Sequence, residues 1–176
     1  MSAYAIDDAT GALSPMAVPT LPTGTNPVHV TVDPTGRFVY VANSSDNSVS
    51  GFTIDATTGA LTAMAAVPTG DRPYQVAVDP TGRFAYVSNA NASTVSAYTI
   101  DNATGVLSPM VPPIVTTGGL PYSIAVDPTG RFAYAPNIDA STVSAFAIDP
   151  NSGALTLLAG TPVPTGGAPL GITLSR

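Results

Sequence analysis

Apolar and polar residues alternate in short bursts along this chain, and the bursts recur in a fixed order. Val28-His29-Val30-Thr31-Val32 alternates strictly, the period of a half-buried strand. A second burst covers 37–41 and ends at Asn43, a third covers 49–54, and a fourth covers 60–67. Between the first two stands Asp33-Pro34-Thr35-Gly36, where Pro presets φ and Gly takes the left-handed position of a tight turn. Asp55-Ala56-Thr57-Thr58-Gly59 turns the chain into the fourth burst, and Pro68-Thr69-Gly70 leads onward. The pattern predicts four short strands per unit.

That unit is repeated. Val-Asp-Pro-Thr-Gly-Arg-Phe stands at 32–38, 78–84 and 126–132, its Asp copies 46 and then 48 residues apart. A period of this size marks a repeat architecture. Whole units cover 27–72, 73–120 and 121–168. Residues 2–26 align without a gap to 96–120, so 1–26 is the second half of a unit, and 169–176 opens another. The expected strand count is therefore two, then twelve, then one.

Side-chain size separates the strand faces. In third strands Phe52/Ile54, Tyr98/Ile100 and Phe146/Ile148 share one face, and Gly51/Thr53, Ala97/Thr99 and Ala145/Ala147 the other. Second strands carry Phe38/Tyr40, Phe84/Tyr86 and Phe132/Tyr134. A large face against a small face lets identical sheets stack in succession. The expected fold is all-β, a propeller of four-stranded antiparallel blades, with three complete blades plus strands of a fourth. Such an arc is a thin four-bladed ring, a fragment of a larger ring, or a chain completed by its neighbours. Exposed strand edges favour association, and head-to-tail completion gives rings or filaments of copies of itself.

Composition narrows the partners. All 11 acids are Asp and all five bases are Arg, and the absence of the helix formers Glu and Lys suits an all-β chain. A net charge of −6 without a basic cluster argues against nucleic acid and an anionic membrane surface. No Cys is present, which excludes disulfides and thiolate metal sites. The Asp-rich hairpins at 7–11 and 101–105 lack the ligand number of a calcium loop, so no metal or cofactor is expected. The first residues carry no charged and apolar signal pattern. A polar surface of Thr, Ser and Asn points to an extracellular or cell-surface setting. Three Asn-x-Ser/Thr triplets, at Asn43, Asn91 and Asn102, match the glycosylation acceptor pattern, which short polar loops also produce.

Tyr40-Val41-Ala42-Asn43, Tyr86-Val87-Ser88-Asn89 and the altered Tyr134-Ala135-Pro136-Asn137, together with the Asp-Pro-Thr-Gly-Arg-Phe turns and Ile-Asp-x-x-Thr-Gly-x-Leu hairpins, carry a resemblance. The chain resembles the YVTN-type β-propeller repeat and the lactonase (6-phosphogluconolactonase-like) propellers. The resemblance implies about seven blades and a site at the channel mouth using His, Arg and Glu. Pro27-Val28-His29 is similar to the family's Pro-x-His stretch, which carries His29 over; the chain has no Glu.

Candidate chemistry gathers where the fourth-to-first and second-to-third connections emerge. His29 is the one histidine; its counterparts are Gln75, Ser123 and Gly171. A neutral imidazole near the channel mouth can act as general base on water, while its plainer role is a polar channel lining. Arg72 replaces Asn26, Leu120 and Ala168 and suits a carboxylate, a phosphate or an oxyanion, or a solvated pair with Asp71. The loops opening at Asn43, Asn89 and Asn137, with Gln75 and Ser123, suggest a polar binding rim for a small-molecule or protein ligand, while the plainer role of their Asn and Ser is to satisfy the backbone of a turn. Arg37, Arg83 and Arg131, four residues after Asp33, Asp79 and Asp127, read as turn stabilisers. Two functions follow: a non-catalytic scaffold for binding or self-assembly, or a lactone hydrolase with His29 as base and Arg72 as oxyanion or substrate-acid partner.

Overall fold

The computed structural model describes residues 1–174. Their strands form four antiparallel sheets and no helix. The first sheet is a hairpin of β1 (Ser2–Ile6) and β2 (Leu13–Thr20). The second runs β3 (Pro27–Val32), β4 (Phe38–Asn43) and β5 (Ser48–Ile54), with β6 (Leu61–Ala63) and β7 (Val67–Pro68) both on β5. The third runs β8 (Pro73–Val78), β9 (Phe84–Asn89), β10 (Thr94–Ile100) and β11 (Leu107–Thr116). The fourth runs β12 (Ala125–Val126), β13 (Phe132–Asn137) and β14 (Thr142–Ile148), with β15 (Leu155–Leu157) and β16 (Val163–Pro164) on β14. Each sheet is a meander in sequence order, as propeller blades are.

Three expectations about the strands are corrected. The fourth strand expected at 60–67 is broken into β6 and β7, because the chain leaves the ladder between them and Met64 N–H turns back to Gly51 O at 2.9 Å. Its counterpart β11 stays whole but shifts register opposite Ser96/Tyr98, so the extra residues bulge outward at the same point. In the third unit the first strand shrinks to β12, preceded by a lone bridge from Pro121 to Asn137. The strand expected after residue 168 does not form in 169–174; Ser175 and Arg176 lie outside the described residues.

The expectation of one large and one small face per sheet is corrected too. Tyr40 pairs with Gly51 and Val39 with Phe52, so Phe38/Tyr40 and Phe52/Ile54 lie on opposite faces of one sheet. Each face thus carries one aromatic column beside small residues. On the face toward the third sheet, Phe38, Tyr40 and Val49 pack against Val87, Tyr98, Ile100 and Leu107. The third and fourth sheets repeat the contact with Phe84, Tyr86 and Val95 against Ala135, Phe146, Ile148 and Leu155. Tyr40 and Tyr86 are fully buried, each removal from water contributing roughly 2–3 kcal/mol.

Two residues lock this contact. Tyr40 Oη donates to Gly105 O at 2.8 Å, and Tyr86 Oη donates to Gly153 O at 2.7 Å. Gly105 and Gly153 close the hairpins of the following sheet at φ +75 and +73. A Cβ on either would lie 2.3 and 2.4 Å from Phe38 and Phe84. The Gly of Ile-Asp-x-x-Thr-Gly is therefore required twice, for its left-handed turn and for the ring that rests on it.

The Asp-Pro-Thr-Gly-Arg-Phe turns stabilise themselves, though not by an Asp–Arg ion pair. Asp33 Oδ1 accepts from the backbone N–H of Arg37 and Phe38 at 2.8 and 2.7 Å, and Oδ2 accepts from Thr35 N–H at 3.0 Å and from the Thr35 hydroxyl. The guanidinium of Arg37 instead lies 4.9 Å over the Phe38 ring, as Arg83 and Arg131 lie over Phe84 and Phe132. Burial works to raise the Asp33 pKa, but the four donors outweigh it and hold the carboxyl below its ordinary value.

Candidate functional site

The first strand of each unit is the outer member of its ladder, so alternate N–H groups have no strand partner. Side chains from the preceding unit meet two of them. His29 Nδ1 accepts from Val76 N–H at 3.5 Å, a long contact, and Gln75 Oε1 accepts from Ile124 N–H at 3.2 Å. Gln75 N–H is itself held by Ser88 Oγ at 3.1 Å. Ser123, the third member, is buried. The structure brings His29 on β3, Gln75 on β8 and Ser123 just before β12 to equivalent places in neighbouring units, and His29 and Gln75 each hand on to the next unit.

Burial holds the His29 pKa below its ordinary value, so the imidazole is neutral near pH 7. With Nδ1 accepting, its proton sits on Nε2 in this arrangement. The ring also borders an open apolar cavity of about 230 Å³ with Met1, Val28, Val30 and Val41.

Arg72 is exposed and lies over an aromatic pair. Its guanidinium carbon stands 5.9 Å over the Tyr122 ring, and Tyr122 stacks on Tyr74 with centroids 4.3 Å apart and planes 5° from parallel. Tyr74 and Tyr122 precede Gln75 and Ser123, so this stack adjoins those positions. Sequence reasoning missed it; the available signal was an aromatic at the middle of Pro-x-Gln and Pro-x-Ser in adjacent units. Arg72 adopts φ 56, but Asn26, Leu120 and Ala168 do the same in their units. The left-handed turn belongs to the connection, and the side chain is what differs.

Asn43, Asn89 and Asn137 do not form a binding rim. All three are fully buried within their sheets. Asn43 Nδ2 donates to Ser48 Oγ and Ser50 Oγ at 3.1 and 2.9 Å, and Asn89 and Asn137 repeat the pattern with Thr94/Ser96 and Thr142/Ser144. The same hydroxyls accept from Gly24, Gly70 and Gly118 N–H, which tie down the incoming Thr-Gly turn. A Cβ on those glycines would press on the Asn at 2.8, 2.9 and 3.0 Å or closer. The Asn is a staple between units, and its placement at a strand end made it look like a loop residue.

The hairpin carboxylates likewise serve their own turns. Asp7, Asp55, Asp101 and Asp149 accept from the residues two and three ahead, which lowers their pKa values through those hydrogen bonds. Among the described residues no group of three or more His, Cys, Asp or Glu is placed to hold a metal ion.

Stacked meanders with a polar row on the first strands define an arc of β-propeller. The chain belongs to the lactonase, 7-bladed beta-propeller family, whose model matches residues 1–169. Solved structures agree on the fold. A Bacteroides uniformis protein described as a candidate 6-phosphogluconolactonase is 18% identical, with a TM-score of 0.81 over 92% of this chain and 48% of that one. A Lactobacillus plantarum protein is 25% identical, with a TM-score of 0.76 over 94% of this chain and 50% of that one. The periplasmic gluconolactonase of Pseudomonas aeruginosa is 24% identical, with a TM-score of 0.69 over 89% of this chain and 44% of that one. The chain spans about half the length of the structures it matches. No curated protein matches it.

Proposed function

We propose that this arc contributes to a lactone-hydrolysing site, built at the first-strand end around His29 with Arg72 at the rim. Family membership over residues 1–169 carries the reading and favours it over a purely non-catalytic scaffold. The gluconolactonase and candidate 6-phosphogluconolactonase among the similar structures supply the substrate class, a sugar-acid lactone.

The chemistry asked of the protein is small. A base takes a proton from water as it attacks the lactone carbonyl, and the ring C–O bond then breaks with the proton returned to the leaving oxygen. His29 is neutral at working pH, which a base requires. Its Nδ1 lone pair faces Val76 N–H only at 3.5 Å, a contact weak enough to exchange for water. Arg72 supplies a cation beside the Tyr122 face, suited to a substrate phosphate or to the developing oxyanion, while the Tyr74–Tyr122 stack meets the sugar's apolar side.

One observation favours the scaffold reading. Gln75 does for Ile124 what His29 does for Val76, so the position has a structural task that needs no imidazole. Acid release from a panel of gluconate-type lactones, with and without a phosphate, separates the two. Turnover above the spontaneous rate is the expected result. Its absence across the panel leaves the scaffold and overturns the hydrolase.

A further inference from the structure

Among the described residues two faces of the arc are uncovered, and they are the two halves of a contact the arc already makes twice. On the β1–β2 hairpin, Tyr4, Ile6 and Leu13 are 52%, 67% and 64% exposed. The gapless alignment of 2–26 with 96–120 makes them the counterparts of Tyr98, Ile100 and Leu107. Those three are 2%, 6% and 6% exposed, because the second sheet lies on them. At the other end, Phe132, Tyr134 and Val143 are partly exposed, whereas their counterparts Phe38, Tyr40 and Val49 are buried under the third sheet. The arc thus presents a donor face and an acceptor face with nothing between them.

We propose that a second copy of this chain docks its β1–β2 hairpin on the outer face of the fourth sheet, repeating the contact between the second and third sheets. The occupant follows from complementarity on both sides. Tyr134 Oη then donates to Gly11 O of the second copy, as Tyr40 does to Gly105 and Tyr86 to Gly153. Tyr4 Oη of the second copy reaches Pro164 O, as Tyr98 Oη reaches Pro68 O at 2.5 Å. The Phe132 ring rests on Gly11, which has φ +69 and open space where a Cβ would stand. At Gly105 and Gly153 that same space is filled by Phe38 and Phe84. The contact is heterologous, so it either closes or propagates. Each copy brings four sheets, and two copies fill one position more than the seven blades of the family, so closure asks for a slightly wider ring.

The inference stands apart from the lactonase reading, and sedimentation equilibrium of the full chain tests it. The expected result is a species of at least twice the 17.6 kDa chain mass at high micromolar concentration. Ile6→Asp and Gly11→Asn are each expected to weaken association at least tenfold. Asn tolerates the left-handed turn, so its Cβ is felt at the docked ring rather than in the hairpin. Tyr134→Phe removes one neutral hydrogen bond and weakens association about fivefold. Val111→Asp, at a position 94% exposed on the β11 bulge, leaves it unchanged. Unaltered far-ultraviolet circular dichroism separates lost docking from lost folding. A monomer at every concentration overturns the proposal, and so does association that ignores Ile6→Asp and Gly11→Asn.

Discussion

The two ends of the arc are built on opposite principles. At one end the Asp-Pro-Thr-Gly-Arg-Phe turn is repeated letter for letter in three units, and each copy satisfies its own carboxylate within six residues. At the other end the equivalent positions read His29, Gln75, Ser123 and Gly171 along the row, and Asn26, Arg72, Leu120 and Ala168 before it. Their polar atoms reach into the next unit or out to an aromatic face. Identity from unit to unit marks geometry that every sheet needs. Difference marks the positions that geometry leaves to be used for something else.

The largest effect that sharpens this contrast belongs at the repeated end. Asp79 is 2% exposed and accepts from Thr81 N–H, the Thr81 hydroxyl, Arg83 N–H and Phe84 N–H. Asp79→Ala orphans all four donors and should cost about 3 kcal/mol or more in urea unfolding. Gln75→Ala at the varied end orphans one N–H and should cost about 1 kcal/mol. Equal losses would erase the distinction.

A pair of glycines makes the next test. Gly153 and Gly59 close equivalent hairpins with φ +73 and +69. An added Cβ meets Phe84 at 2.4 Å in the first and only the end of Met16 at 3.3 Å in the second. Both changes to Ala carry left-handed strain of roughly 1 kcal/mol, and Gly153→Ala adds overpacking of about 1–3 kcal/mol. Thermal unfolding should therefore separate them by several degrees.

Acid should act on His29 first and on the turn-built end at lower pH. Asp33 and Asp127 keep lowered pKa values although burial opposes it, and the hairpin carboxylates are lowered by their own hydrogen bonds. A depressed carboxyl stabilises the fold above its unfolded value of about 4, and the contribution is lost as pH falls through the folded value. The lowered His29 adds the same sign, since burying it neutral is penalised as pH falls below about 6.5. Melting temperature should be flat near neutrality and decline steadily in acid. A rise on acidification would contradict the assignment.

Most of the fold was legible because the repeat printed its punctuation three times. The Asp-Pro-Thr-Gly turns placed β3 and β4, β8 and β9, and the Asn after Tyr-Val marked where each second strand ends. What failed depended on partners across space. Alternation alone cannot say that Tyr40 shares a face with Gly51 rather than with Phe52; the ladder register decides it. Asn43, Asn89 and Asn137 sit at strand ends and are polar, which reads as rim, yet two hydroxyls of the adjoining strand draw each one inside. The row of His29 and Gln75 was visible from alignment of the units. That each one feeds a backbone N–H of the following unit was not, because 47 and 49 residues separate the partners.

His29 is where the contrast between the ends becomes a question of chemistry, and the neighbouring unit supplies the variant that answers it. His29→Gln installs the side chain that already fills the equivalent position at Gln75, so it can keep an acceptor for Val76 N–H while removing the base. The decisive measurement is kcat for lactone hydrolysis by wild-type chain and His29→Gln at matched melting temperature. A fall of about a hundredfold or more is expected in the variant, with KM little changed. Undiminished turnover in His29→Gln would contradict it, and would leave the varied end with structure to keep and no reaction to run.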